Sequence, residues 1–115
     1  MDELRELRSR LDRFVAERDC DQFHNPKNLA MALAAEAGEL IEHFQWLTPE
    51  ESCALPEAVH AEVELEIADV LLFLLRLCGK LQIDPLQAAH KKLDLNAIKY
   101  PADKARGRAT KYNKL

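Results

Sequence analysis

Two short segments, Glu36-Ala-Gly-Glu39 and Glu66-Ile-Ala-Asp69, each carry two acids three residues apart. On a helix such a pair leans toward one side, so each segment would present two carboxylates together. At about 100° per residue, Glu36 falls inside the apolar line Leu29, Leu33, Leu40, Phe44 and Leu47. Glu66 falls inside the line Val59, Val70, Phe73 and Leu77. A carboxylate on a core-facing line must be protonated, paired or bound to a cation, because an isolated buried charge is too costly. The same anomaly on two helices predicts that the four acids converge and hold a metal. Glu62, one turn before Glu66, could extend the cluster, whereas Glu42 faces elsewhere and is expected to be exposed. The competing reading is that these acids sit on solvated faces or pair with basic residues.

An all-carboxylate donor set favours a hard divalent ion, Mg²⁺ with Mn²⁺ as a substitute. A di-iron centre would require Glu-x-x-His on two helices, and Glu57-x-x-His60 occurs once without a counterpart. Mg²⁺ commonly shares its coordination with substrate phosphates, which points to a phosphate ester or nucleotide. Neither a Gly-x-x-x-x-Gly-Lys loop nor a Gly-x-Gly-x-x-Gly turn is present, so phosphates would be held by metal and side chains. The rival from another class is a helical interaction module without catalysis, its acids pairing across an interface.

The elements that must position these acids are helices. Only three glycines and five prolines in 115 residues leave few turns, and no alternating strand pattern occurs. Periodicity predicts helices over about 2–19, 26–46, 56–79 and from Asp84-Pro85 to about Tyr100,. Asn25, Thr48 and Asp84 read as caps, each followed by proline. Gly79 reads as the stop of the third helix. The expected fold is all-α, an antiparallel four-helix bundle in one domain spanning 1–115, with a basic irregular tail from about residue 100. Val70 to Leu77 is apolar almost all round, which predicts self-association, as a homodimer or homotetramer.

Charge is unevenly spread. From Lys99 to Leu115 six basic side chains face one acid, a balance of +5, so the preceding residues carry −9 of the net −4. That overall sign argues against binding polymeric nucleic acid. Cys20, Cys53 and Cys78 match no metal spacing and are expected to be reduced thiols in a cytoplasmic protein,. No signal peptide is visible, and the apolar run Val70 to Leu75 is too short to span a bilayer,.

Five patterns, the two acidic segments among them, stand in one order: Gln22-Phe23-His24-x-Pro26-x-Asn28, Ala35-Glu36-Ala-Gly-Glu39-Leu40, Phe44-Gln45-Trp46, Glu66-x-x-Asp69-Val70 and Asp94-x-Asn96-x-x-Lys99-Tyr100-Pro101. Together they resemble the MazG-like all-α nucleoside triphosphate pyrophosphohydrolases, most closely their dCTP pyrophosphatase branch, over about residues 14 to 112. The resemblance implies that Glu36, Glu39, Glu66 and Asp69 are Mg²⁺ ligands, with Glu36 and Glu39 the catalytic candidates. It implies that Lys92, Asn96, Lys99 and Tyr100 contact phosphates and sugar, and that His24 and Trp46 line the base pocket. It further implies cleavage of a nucleoside triphosphate, dCTP or a modified dCTP, to the monophosphate and pyrophosphate. From residue type alone, Trp46 reads more readily as core or interface than as a base platform, and His24 as a surface or capping residue. The chain departs from the pattern at Cys20 and Phe73, where aromatic residue and tyrosine are expected, and at Lys99, where arginine is common. Lysine keeps the charge but loses the bidentate fork, and the base preference is left open.

Overall fold

Capping and periodicity produce an all-α chain: the computed structural model, which describes residues 2–115, is about 75% helical, with no strand among them. It forms two compact units, the first ending at Gln82 and the second spanning Ile83–Leu115.

In the first unit, α1 (Glu3–Glu17) begins where the Asp2 carboxylate accepts the Leu4 N–H. It ends before Asp19, whose φ of 53° is a left-handed conformation that aspartate tolerates better than most residues,. A 3-10 turn at Asp21–Phe23 leads into α2 (Pro26–Glu42). Asn25 caps it by accepting the Asn28 N–H at 2.9 Å, and Pro26 occupies the first turn, where its missing donor costs nothing,. The sequence places the end of α2 near residue 46, but it stops at Glu42. There the hydrogen bonds tighten: His43 and Phe44 donate to Leu40 and Ile41, three residues back, and Thr48 is already extended ahead of Pro49,.

The short α3 (Pro49–Ser52) carries a reciprocal cap, with Thr48 and Glu51 each accepting the other's backbone N–H through its side chain,. The longest element is α4 (Glu57–Leu81). Gly79, expected as its stop, remains helical, and the reversal falls at Gln82 with φ of 56°, its N–H donating to the Cys78 and Gly79 carbonyls. The chain must turn left-handed somewhere before the Asp84 cap, and a non-glycine residue takes that position.

Packing of α2 against α4, with α1 also on α4, buries Val15, Leu29, Val63, Leu75 and Cys78. Leu29, 1% exposed, anchors α2 on this seam. On another face of α4, Ile67, Leu71 and Leu74 remain between 38% and 54% exposed, and Leu65, on the opposite side, is 69% exposed,. No helix among the described residues is long and apolar enough to cross a membrane.

The second unit is built on α5 (Pro85–Lys99), capped by the Asp84 carboxylate accepting the Leu86 and Gln87 N–H groups. It ends at Tyr100, as proline at the next position requires,. The tail expected to be irregular holds two helical turns, α6 (Ala102–Ala105) and a 3-10 turn at Tyr112–Lys114. It returns to the end of α5: the Tyr112 ring meets Tyr100 edge-on at 6.1 Å between centroids, and Lys99 Nζ lies 4.9 Å over the Tyr112 ring,.

Candidate active site

The α2–α4 seam brings acids from the two predicted segments together. Glu36 and Glu39, one turn apart on α2, and Glu66 on α4 each offer a carboxylate oxygen, and the three oxygens lie within 4.8 Å of one another. Glu36 and Glu66 are half-buried, and Oε2 of each is fully shielded from solvent without a hydrogen-bond partner. Glu39 closes the group from the solvent side. Asp69, one turn beyond Glu66, stands outside this closest group, yet its charge acts on both half-buried carboxyls. Burial, then the adjoining Glu39 carboxylate and the charges of Asp69 and Glu66, push the Glu36 carboxyl up to about 7. Glu66 is raised by burial first and by Glu39 next.

Such a group is electrostatically incomplete. Carboxylates this close oppose each other's ionisation, and two shielded oxygens have no donor. A cation would supply what is missing, and an oxygen-only donor set suits a hard divalent ion. Glu62 does not join the three clustered acids: its Oε2 lies 3.7 Å from His43 Nδ1, at the end of α2. Glu42 is exposed, as expected.

Beside the carboxylates the first unit opens a cleft of about 290 Å³, with Phe14, Cys20, His24, Asp69, Phe73 and Arg76 among its walls. The lining is mostly apolar, so the cleft can hold a flat ring against Phe14 and Phe73 while Asp69 joins it to the acidic cluster. His24, half-buried after the 3-10 turn, is therefore a wall of this cleft. Its ring is kept neutral to lower pH than an ordinary histidine, by burial first and by the Arg76 charge next.

Arg76 was not singled out by sequence reasoning. It is 9% exposed and binds three partners: its Nε donates to His24 Nδ1 at 3.2 Å, Nη1 to Asp12 at 3.0 Å and Nη2 to Asp21 at 2.7 Å. Lys80 Nζ also reaches Asp21 at 2.7 Å, and these two cations hold the Asp21 carboxyl below its usual range, Lys80 contributing first. The available signal was that Arg76 is the sole charge between Asp69 and Lys80, in an otherwise apolar run.

Trp46, expected against the base, lies in the turn after α2 and is 86% exposed. Lys92, Asn96, Lys99 and Tyr100 belong to the second unit. There Lys92 and Asn96 are one turn apart on α5, the first exposed and the second half-buried, while Lys99 and Tyr100 engage Tyr112.

An all-α chain whose paired helices gather acids beside an apolar cleft defines a carboxylate-centred class of helical proteins, and comparison identifies the family. Residues 31–115 match the MazG-like family, and the chain belongs to it. It is 41% identical over 114 residues to dCTP pyrophosphatase 1 of Mus musculus, covering 97% of this chain and 67% of the mouse protein. The Homo sapiens dCTP pyrophosphatase 1 is 39% identical over 122 residues, again across 97% of this chain and 67% of the relative. Among solved structures, a pyrophosphatase from Archaeoglobus fulgidus superimposes with a TM-score of 0.84 at 40% identity, covering 88% of this chain and 94% of the archaeal one.

Proposed function

We propose that this protein is a Mg²⁺-dependent nucleoside triphosphate pyrophosphohydrolase acting on dCTP or a modified dCTP, releasing the monophosphate and pyrophosphate. The observation that carries this reading is the acidic cluster on the α2–α4 seam, with its two shielded, partnerless oxygens. Relatives about 40% identical across nearly the whole chain are dCTP pyrophosphatases, which supports the substrate class.

Glu36, Glu39, Glu66 and Asp69 are the residues that would hold Mg²⁺, with Mn²⁺ as a substitute. When bound, the ion neutralises charge on the triphosphate oxygens and lowers the pKa of a bound water. Glu36 and Glu39 are the catalytic candidates. Glu39, the solvent-side member, orients the attacking water, whose proton leaves toward solvent on that exposed side,. Water oxygen joins the α-phosphorus, and the bond to the bridging oxygen breaks, leaving that oxygen on pyrophosphate. Lys92, Asn96, Lys99 and Tyr100 are the candidates for phosphate and sugar contacts, and His24 lines the base cleft, whose apolar walls exclude water. Trp46, about 24 Å away past the far end of the 17-residue α2, would reach that base only from another copy of the chain.

The reading includes a homodimer or homotetramer that completes a four-helix bundle. The exposed leucines and isoleucine of α4 support it, since an apolar helix face is stabilised by removal from water,. Cys20, Cys53 and Cys78 are free thiols, which fits a reducing cytoplasmic setting,. Pyrophosphate release from a panel of nucleoside triphosphates, with Mg²⁺ and with EDTA, tests the proposal. Release from dCTP that EDTA abolishes is expected, and no release from any nucleotide would overturn it. Sedimentation at micromolar concentration tests the assembly, and a monomer alone would remove that part.

A further inference from the structure

We propose that Arg76 is a positioning residue that fixes the tautomer of His24, so that His24 presents Nε2–H to the cleft as a hydrogen-bond donor for an acceptor atom of the nucleobase. This rests on the nucleotide reading above for the identity of the ligand, but not for the geometry.

The argument begins with donor chemistry. A guanidinium carries only N–H donors and stays charged at every pH a protein experiences. Arg76 Nε lies 3.2 Å from His24 Nδ1. The ring nitrogen facing it must accept, so Nδ1 holds a lone pair and a neutral ring carries its proton on Nε2. The guanidinium is not free to rotate away, because Asp12 on α1 and Asp21 on the 3-10 turn hold its two remaining nitrogens, and Lys80 fixes Asp21 in turn. A buried arginine thus joins three segments and has one nitrogen left for the imidazole. Burial and the adjacent positive charge oppose a second proton on the ring, with Asp21 the opposing influence.

His24 lines the cleft together with Asp69, and with Nδ1 engaged by Arg76 the nitrogen left for a ligand there is Nε2. A pyrimidine offers ring-carbonyl and ring-nitrogen acceptors at its edge, and a fixed N–H donor selects for them. The cost of reorienting the imidazole on binding is thereby removed, since only one tautomer is available beforehand.

Nitrogen-15 NMR of histidine-labelled protein at about pH 8 tests the geometry without any substitution. A lone-pair signal at His24 Nδ1 and a protonated Nε2 are expected, and a protonated Nδ1 would overturn the proposal. In Arg76→Met, an Nδ1–H population should emerge, and KM for dCTP should rise about five- to tenfold, the scale of one hydrogen bond, more than kcat falls. Arg76→Lys, whose ammonium is also donor-only, should recover part of both effects. Asp12→Asn, which weakens the ion pairs but leaves the Nε–Nδ1 bond, should lower thermal stability while keeping the parent tautomer. An altered tautomer with unchanged KM would overturn the proposed role. Failure of the parent protein to release pyrophosphate from any nucleotide would remove the nucleotide reading instead, with the Nδ1 signal unaffected.

Discussion

Ten residues apart on α4 stand two charged clusters built on opposite plans. Around Glu66, acids meet acids: Glu36, Glu39 and Glu66 crowd within 4.8 Å, and two of their oxygens have no partner. Around Arg76, two cations meet two anions and a neutral imidazole, and each nitrogen of the guanidinium has an acceptor. The second cluster is complete within the chain, whereas the first is complete only when something positive arrives. A buried charge that the fold satisfies orients its neighbours. A group that the fold leaves unsatisfied is where ligand chemistry belongs.

The largest expected effect comes from neutralising a member of the incomplete cluster. Glu39→Gln, Glu36→Gln or Asp69→Asn should each lower kcat with Mg²⁺ by about 10²–10³, the scale of one strong electrostatic stabiliser. The same substitutions should leave the EDTA-treated protein as stable as the parent or more so at pH 8, because each removes like-charge repulsion. Steady-state kinetics and thermal melts check the two halves, and near-parental activity would break the comparison. In the complete cluster the sign reverses. Arg76→Met should lower the melting temperature by about 5 °C, an effect of order 1 kcal/mol for a domain of this size, with or without Mg²⁺. The two carboxylates it leaves behind are largely exposed, so water limits the loss.

The difference also explains which cluster was legible in the sequence. Glu36 and Glu39, and Glu66 and Asp69, are local pairs, and helical periodicity alone places Glu36 and Glu66 on the apolar lines where the structure finds them half-buried. Caps at Asn25, Thr48 and Asp84 are local in the same way, each accepting from an N–H two or three residues ahead. Arg76 reaches partners 52, 55 and 64 residues away. No spacing rule encodes such pairings, and its apolar neighbours make the segment read as a self-associating surface. Helix ends fell between these cases. Gly79 was a reasonable stop, but the reversal at Gln82 depends on where α4 must release the chain toward Asp84.

The two clusters should also pull stability in opposite directions with pH. A carboxyl raised from 4.5 to about 7, as Glu36 is, retains in the folded protein a proton that the unfolded chain has already released. Its contribution is fully present below pH 4.5 and is lost as pH rises through about 7,. Asp21 is depressed below 3.8 by Lys80 and Arg76, so its contribution is present above 3.8 and is lost as pH falls through the lowered value,. Thermal melts in EDTA should therefore show stability declining between about pH 5 and pH 8. Added Mg²⁺ should reverse that slope, because binding displaces the retained proton and strengthens as pH rises. A decline that persists unchanged in Arg76→Met but weakens in Glu36→Gln, Glu66 supplying the remainder, assigns it to the acidic cluster. Loss of the decline in Arg76→Met alone would assign it to the wrong one.

The smallest effect is expected at Glu62, and it marks the boundary of the acidic cluster. Position alone made Glu62 a candidate extension, since it lies one turn before Glu66 on the same helix. Its carboxylate instead approaches His43 at 3.7 Å and is 65% exposed, so water already solvates most of its charge. An exposed pair of this kind contributes below about 0.5 kcal/mol. Glu62→Gln should therefore leave the melting temperature within about 2 °C, and its Mg²⁺-dependent pyrophosphate release should stay within about twofold of the parent, the scale of so small a free-energy change. A loss approaching that of Glu39→Gln would make Glu62 a working member of the cluster. The incomplete charge of α4 would then extend a full turn toward its N-terminus, to the end of α2 at His43.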